Sequence, residues 1–391
     1  CTVTNEGDSK SRQVIRRLAR DNPDSRIVVM GCYATRAPDE LSVLPNVSEV
    51  VTDKRELPDM LSRFGVVDIP TGISEFGNRH RAYVKVQDGC LLRCSYCIIP
   101  HVRPDLTSRP QEQIFDEIRR LVDNGYREIV LTGIHLGHYG VDWNWDKPKE
   151  KWVRLATLVR QIAEIPGNFR IRLSSIEATE VTRELVAVMA EYPQKICPHL
   201  HICLQSGSDE ILRRMKRRWS TRTFINRCNL VRENLDYPSF TTDVIVGFPG
   251  ETEEYFQQTI ETVKEAGFSK IHIFPFSARR GTPAADFPEQ LSKKEKQARG
   301  RELAGVEQQL RKQYFDQLVG KQLRVLVESP LSSEKSVVSS APSVTGTSCR
   351  YAPVELAGGD ALVGQLVDVE VQSATDDRVV AEQVLAASGK A

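Results

Sequence analysis

Short apolar runs alternate with amphipathic segments along most of the chain. The apolar runs predict buried strands, whereas apolar residues spaced three or four positions apart predict helices. The alternation of the two predicts an α/β protein with parallel sheets. Strands are predicted at residues 26–32, 47–52, 82–86, 128–132, 170–173, 199–204, 242–246 and 270–274, and helices at 11–20, 111–124, 253–266 and 292–318.

The pattern changes after the last of these helices. Strands are predicted at 323–327, 366–371 and 379–380, and the Ser- and Pro-rich segment 329–348 predicts a loop. We expect three domains, an α/β domain at residues 1–75, a partial parallel (β/α)6-type barrel at 76–317 and a small antiparallel β-barrel at 318–391. In parallel sheets the carboxyl ends of the strands carry the chemistry.

Composition excludes several classes of protein. Apolar residues make up 40% of the 391 residues, and no apolar run approaches the ~20 residues that span a bilayer, so we expect no membrane association. A net charge of +1 indicates no global attraction to DNA. Nine cysteines are too few for a disulfide-rich secreted domain and indicate a reducing cytoplasm. The start at Cys1, without Met, suggests a fragment.

Three of the nine cysteines lie within eight residues, as Cys90-x3-Cys94-x2-Cys97. Thiolates are the usual protein ligands of iron–sulfur clusters, and three of them leave the fourth iron of a cubane open to a small molecule. The alternative is a structural zinc site that includes His101, which would indicate a zinc-stabilised, non-catalytic RNA-binding protein.

The cysteine loop, with Tyr96 before its last cysteine, resembles the radical S-adenosylmethionine (SAM) superfamily. Other motifs resemble its methylthiotransferase family, and the region after residue 318 is placed like that family's RNA-binding TRAM domain. These motifs are Cys1-Thr2-Val3-Thr4, Gly31-Cys32-Tyr33-Ala34, 204–209 and 243–252.

The resemblance implies a flavodoxin-like N-terminal domain, two 4Fe-4S clusters and SAM. Cys90, Cys94 and Cys97 would hold the cluster that binds SAM and generates a 5′-deoxyadenosyl radical, while a second cluster delivers sulfur and a second SAM the methyl group. Cys1 and Cys32 would bind the second cluster, whose third cysteine is expected upstream of Cys1. Residues expected to contact SAM are Tyr96, Gly133, Glu177, Gln205, Asp243 and Gly247.

The segments 132–137 and 174–177 resemble the branch that modifies N6-threonylcarbamoyladenosine beside the tRNA anticodon. The implied partners are the tRNA anticodon stem-loop and an electron donor such as flavodoxin or ferredoxin. The alternative substrates are isopentenyladenosine in tRNA and an aspartate of a ribosomal protein.

RNA contacts are expected away from the C-terminal region, which has nine acidic and six basic residues after residue 317. The segment 213–219, whose Trp219 could stack on a base, and Arg279-Arg280 are the basic candidates. His135 and His138 lie on a strand–helix loop where a base could enter. Cys197, Cys203, Cys228 and Cys349 match no motif and are expected to be buried thiols.

Overall fold

The computed structural model describes residues 2, 4–67, 72–75, 77, 80–332, 336–337 and 342–384. The chain divides into two compact units. The first consists of Cys1–Thr71, Asp88–Thr107 and Ser277–Glu289, and the second of Gly72–Gln87, Ser108–Phe276 and Gln290–Ala391. The division into three sequence domains remains a prediction.

The first unit contains a two-stranded parallel sheet flanked by short helices, which agrees with the predicted strand–helix alternation. Its core is formed by Ile15, Tyr33, Ala34, Leu41 and Leu44. The elements, in chain order, are α1 (Asn5–Asp21), β1 (Ile27–Met30), α2 (Cys32–Arg36), α3 (Pro38–Ser42), β2 (Val47–Val51), α4 (Leu57–Ser62) and, after the cysteine loop, α5 (Ile99–Val102).

The first strand of the second unit is β3 (Arg81–Asp88), although its last residue, Asp88, belongs to the first unit. Strands and helices of the second unit then alternate up to a long helix, α12 (Lys293–Gln317). The other elements before that helix are β4 (Thr107–Ser108), α6 (Gln111–Asp123), β5 (Glu128–Gly133), α7 (Leu155–Ala163), β6 (Arg170–Leu173), β7 (Ser175–Ile176), α8 (Arg183–Glu191), β8 (His199–Ile202), α9 (Asp209–Arg214), α10 (Thr221–Asn234), β9 (Ser239–Val246), α11 (Glu253–Ala266) and β10 (Lys270–Pro275).

These strands form two four-stranded sheets, in the orders β4-β3-β5-β6 and β7-β8-β9-β10. The pairs from β3 to β6 and from β7 to β10 are parallel. The two sheets are linked where Cys197 donates a backbone hydrogen bond to Ile171, at 2.9 Å. The predicted α/β class with a partial parallel barrel is therefore confirmed.

Local sequence signals account for both ends of α11. In α11 the hydroxyl of Thr252 accepts a hydrogen bond from the backbone N–H of Tyr255 at 3.3 Å, and two glutamates follow in the first turn, where the helix dipole favours negative charge. The helix ends at Gly267, which has a φ of +60°. These features explain why its bounds match the prediction.

A closed five-stranded barrel follows α12, with strand order β11-β12-β13-β15-β14. The prediction of a loop at 329–348 is wrong in its described parts, because the first barrel strand continues to Leu331 and the second covers 343–348. The sequence of that second strand, Ser-Val-Thr-Gly-Thr-Ser, is strand-like only through pairing with its neighbours. The barrel strands are β11 (Gln322–Leu331), β12 (Ser343–Ser348), β13 (Pro353–Ala357), β14 (Leu366–Ala374) and β15 (Val379–Gln383).

A buried ionic group joins this barrel to the first sheet of the second unit. Glu128 is fully buried and lies 2.5 Å from Arg170 and 2.9 Å from Arg172. The guanidinium group of Arg170 also donates to the backbone carbonyls of Arg324 and Thr347 in the barrel. That of Arg172 donates to the backbone carbonyls of Ser348 and Cys349. One carboxylate is therefore shared by two cations, whose guanidinium groups together bind four barrel carbonyls.

In the described part of the chain, no helix is both long and apolar enough to cross a membrane.

Candidate functional site

The three-cysteine loop lies in the first unit, directly after β3. Gly89 enters the loop with a φ of +79°, and a Cβ atom there would lie 1.9 Å from the carbonyl oxygen of Asp105. The loop is held by backbone hydrogen bonds from Cys90 to Arg103 at 3.2 Å and from Cys97 to Cys94 at 3.1 Å. Only glycine fits the tight approach at the start of this loop.

None of the eight cysteines that the structure describes forms a disulfide. Cys94 is buried, and Cys90, Cys97 and Tyr96 are partly exposed. Three thiols in an irregular eight-residue loop form a donor set that fits an iron–sulfur cluster with one open iron. His101, the histidine of the zinc alternative, is exposed on α5.

The second cysteine motif belongs to the same unit. Cys32 is the first residue of α2, which contacts α5, the short helix that follows Cys97. Cys1 lies outside the described residues, so its role as a ligand remains a prediction. The next residue, Thr2, is fully buried, and its hydroxyl donates to Asp8 at 2.7 Å.

Most of the predicted SAM-contacting residues lie at strand ends of the second unit. Gly133 ends β5, and Glu177 follows β7. Gln205 follows β8 in a left-handed conformation with a φ of +65°, and its backbone N–H and carbonyl bond to Asp243 and Ile245 of β9, each at 2.8 Å. The parallel register therefore brings Gln205 and Asp243 together at the carboxyl edge of the second sheet.

The turn after β9 is held by a buried carboxylate. The backbone N–H of Gly247 donates to Glu251 at 2.6 Å, and the guanidinium of Arg299 donates to the same carboxylate oxygen at 2.7 Å. Burial raises the pKa of Glu251, although the Gly247 hydrogen bond and Arg299 both act to lower it. Glu251 and Arg299 thus support the shape of the turn at Gly247.

Glu177 is engaged by two residues of the segment predicted to contact RNA. Arg217 forms an ion pair with its carboxylate, and the indole N–H of Trp219 donates to it at 3.3 Å. Trp219 is only 7% exposed. The prediction that Trp219 stacks on an RNA base is therefore wrong, because the ring is packed inside the second unit.

The second basic candidate is also buried in part. Arg279 is 2% exposed, and its guanidinium lies 2.6 Å from a carboxylate oxygen of Asp8 in the first unit. The prediction of RNA contact is wrong for Arg279, because its charge is neutralised inside the unit. Arg280 is exposed.

Among the residues that the structure describes, two groups of potential metal ligands lie in the second unit. Within each group, one ligand atom per residue lies within 4.8 Å of the others. The first group, near Asp243, also contains His201 and Cys203, and Cys203 is partly exposed rather than a buried thiol. The sequence alone suggested no role for Cys203, because no motif includes it.

The second group consists of His135, His138 and Glu180. The Nε2 atoms of the two histidines lie 3.2 and 3.6 Å from one carboxylate oxygen of Glu180, and the imidazole rings stack with centroids 3.6 Å apart. Burial, and secondarily the charge of His135, lower the pKa of His138 to about 4. Glu180 was not predicted from sequence, because it belongs to no motif.

The chain matches two family descriptions, the Radical SAM superfamily over residues 84–263 and the uncharacterized protein family UPF0004 over residues 1–53. It is 38% identical to the threonylcarbamoyladenosine tRNA methylthiotransferase MtaB of Bacillus subtilis, over 96% of this chain and 84% of that protein. The chain belongs to the radical SAM methylthiotransferase family. The resemblance stated from the motifs is thereby confirmed, and the alternative of a non-catalytic RNA-binding protein is contradicted.

Other relatives of this radical SAM methylthiotransferase carry two different names. The Thermotoga maritima protein named threonylcarbamoyladenosine tRNA methylthiotransferase MtaB is 34% identical over all of this chain and 88% of its own length. A tRNA-2-methylthio-N(6)-dimethylallyladenosine synthase of Corynebacterium glutamicum is 33% identical, over 94% of this chain and 74% of its own length.

A solved structure supports the fold. The radical S-adenosylmethionine methyltransferase TsrM of Kitasatospora setae matches 71% of this chain and 60% of its own, with a TM-score of 0.54 and 15% identity. At that identity the match concerns the fold alone.

Proposed function

We propose that this enzyme adds a methylthio group to carbon 2 of N6-threonylcarbamoyladenosine beside the tRNA anticodon. The observation that carries the proposal is the 38% identity, over nearly the whole chain, to a protein named for that substrate. The segments 132–137 and 174–177, which resemble the same branch, support it. The isopentenyladenosine branch is the second candidate, since a relative named for the corresponding product is 33% identical.

In this proposal Cys90, Cys94 and Cys97 hold the SAM-binding 4Fe-4S cluster, and Cys1 and Cys32 contribute to a second one. When bound, the clusters and SAM supply the radical, the sulfur and the methyl group. The chain's own contribution is to fix the ligands, because the Gly89 turn and the Cys90–Arg103 hydrogen bond shape the cysteine loop.

Tyr96 and the strand-end residues are proposed to contact SAM. Their positions are set by buried partners that do not themselves need to touch SAM, such as Arg217 at Glu177 and Glu251 at Gly247. The proposed SAM-contacting residues of the second unit are Gly133, Glu177, Gln205, Asp243 and Gly247. The proposed setting is a cytoplasmic, three-domain enzyme that works with a flavodoxin or ferredoxin as electron donor.

The experiment is to express the chain in a bacterial strain that lacks its own threonylcarbamoyladenosine and isopentenyladenosine methylthiotransferases. Mass spectrometry of tRNA nucleosides is expected to show the methylthio derivative of threonylcarbamoyladenosine. Cys94→Ala should abolish it, and Cys349→Ala, a matched control outside the motifs, should not. Methylthio-isopentenyladenosine as the product, or no methylthio nucleoside at all, would refute the proposal.

A further inference from the structure

The His135–His138–Glu180 group lies beyond the strand ends at which SAM is proposed to bind. His135 follows β5 and Glu180 follows β7, so the group is assembled from the loops after two different strands. The side chains of the three residues are 5%, 16% and 16% exposed. Two imidazoles and a carboxylate are thus brought together where little water reaches them, and a polar group buried there is unfavourable unless it has a partner.

Neighbouring residues fix the carboxylate of Glu180. Its second oxygen accepts a hydrogen bond from the backbone N–H of Glu177 at 3.1 Å. The first oxygen faces the histidines and also accepts from the hydroxyl of Thr179 at 3.3 Å. A Cβ atom at position 137 would lie 2.2 Å from Cγ of Glu180. Glycine between the two histidines therefore makes room for the carboxylate to reach them.

The loop after β5 that carries His135 and His138 is fixed by further contacts. The backbone N–H of His135 donates to the buried side-chain amide oxygen of Gln87 at 2.7 Å. Leu136 and Tyr139, on either side of His138, are fully buried. The arrangement of the two imidazoles is therefore built into the second unit by packing.

Two of the three separations in the group are close to those between metal ligands, and all three are within 4.8 Å. With metal–ligand bonds of ~2.05 Å, tetrahedral geometry places ligand atoms about 3.3 Å apart. The separations between the histidine nitrogens and the carboxylate oxygen are 3.2 and 3.6 Å. Two histidines and one carboxylate are a ligand set of sites that keep coordination positions open for a substrate.

We propose that His135, His138 and Glu180 bind a divalent metal ion whose open positions take the carboxylate of the threonylcarbamoyl group. The binding of the threonylcarbamoyl carboxylate, unlike the metal site itself, rests on the proposed function. A threonylcarbamoyl group ends in a free carboxylate, whereas an isopentenyl group is an uncharged hydrocarbon. A cation neutralised only in part by Glu180 would therefore distinguish the two adenosine modifications.

The metal site is tested with Mn²⁺, a hard ion that avoids thiolates, on the cluster-containing protein. The electron paramagnetic resonance signal of free Mn²⁺ measures binding. Wild type is expected to bind one ion that Zn²⁺ displaces, and Glu180→Gln and His138→Asn to bind it at least about tenfold more weakly. Glu184→Gln, an exposed glutamate four residues away, is the matched control and should bind as wild type.

Equal Mn²⁺ binding by wild type and both variants, including no binding by any of them, overturns the metal site. If Glu180→Gln fails to fold, judged by thermal unfolding, His138→Asn decides the question. The carboxylate is tested by adding anticodon stem-loops with threonylcarbamoyladenosine or with plain adenosine. Only the first should change the spectrum of bound Mn²⁺, and identical spectra overturn this part.

Failure of the inference can be told from failure of the proposed function. If wild type makes no methylthio-threonylcarbamoyladenosine, the function fails, but the Mn²⁺ titration still decides the metal site. If wild type modifies this nucleoside and the variants bind Mn²⁺ unchanged, the function stands and the inference fails. A rise of at least about tenfold in KM for the tRNA in Glu180→Gln is expected if both hold.

Discussion

Replacing Glu128 by Gln should destabilise the second unit strongly. The substitution keeps the size of the side chain but removes the carboxylate that contacts the guanidinium groups of Arg170 and Arg172, which are 2% and 3% exposed. Arg81 also loses a partner at 3.1 Å. Removing one member of a buried ion pair typically lowers the free energy of unfolding by about 3–5 kcal/mol, because the remaining charge stays buried.

For a unit of this size such a loss corresponds to a fall in melting temperature on the order of 10 °C. The assay is thermal unfolding followed by circular dichroism. The matched control is Glu191→Gln, which removes a glutamate at 2.5 Å from an arginine, but in a pair that is 39% and 47% exposed. Solvent screens that pair, so the control should melt as wild type. Equal melting temperatures of the two variants would refute the reasoning.

The pH dependence of this difference has a definite sign. Burial raises the pKa of Glu128, but Arg170 and Arg172 lower it more, and the net pKa lies well below its usual range. A carboxylate with a depressed pKa stabilises the fold above its unfolded pKa of about 4.3, and the stabilisation is lost as the pH falls toward the folded pKa. The difference between wild type and Glu128→Gln should therefore be constant from pH 6 to 8 and should shrink only in acid.

Two further predictions concern the cysteine loop and the buried thiols. Gly89→Ala should reduce the iron content per chain and the absorbance near ~400 nm, because its Cβ would collide with the Asp105 carbonyl. The control Gly65→Ala also has a positive φ, of +80°, but its Cβ would meet no atom, so it should keep the wild-type iron content and absorbance; full iron content in the Gly89 variant would contradict the prediction. Burial raises the pKa of Cys197 to about 11 and of Cys228 to about 12, so that at pH 8 about one thiol in 1,000 or fewer is ionised. Iodoacetamide should then label them only after unfolding, and rapid labelling of the native protein would contradict the burial.

Much of the α/β core follows from local sequence. The bounds of β6 and α11 match their predicted bounds. In β6 the apolar residues Ile171 and Leu173 alternate with arginines, which is the period of a strand, and α11 carries its own end signals at Thr252 and Gly267. The barrel strand at 343–348 was missed, since its Ser, Thr and Gly residues become a strand only when β11 and β13 pair with it. Long-range pairing of this kind has no local pattern.

The candidate site also combines features that the sequence predicted with features that only the tertiary structure shows. The spacing of Cys90, Cys94 and Cys97 predicts an iron–sulfur site from the sequence alone, because a loop of eight residues can supply three thiolates without help from the rest of the fold. The partners of Glu177 are 40 and 42 residues away. Trp219, which looked like an exposed base-stacking residue, is one of them, and only the tertiary structure could show that its ring is buried.

The sequence by itself thus determined the family, the three-cysteine motif and the α/β fold class, since each depends on residues close together along the chain. The tertiary structure alone decided which charges are buried, as at Glu128, and which distant side chains meet, as at His135 and Glu180. The physical reason is that desolvation and ligand geometry depend on the distance between atoms in space, and sequence separation does not set that distance.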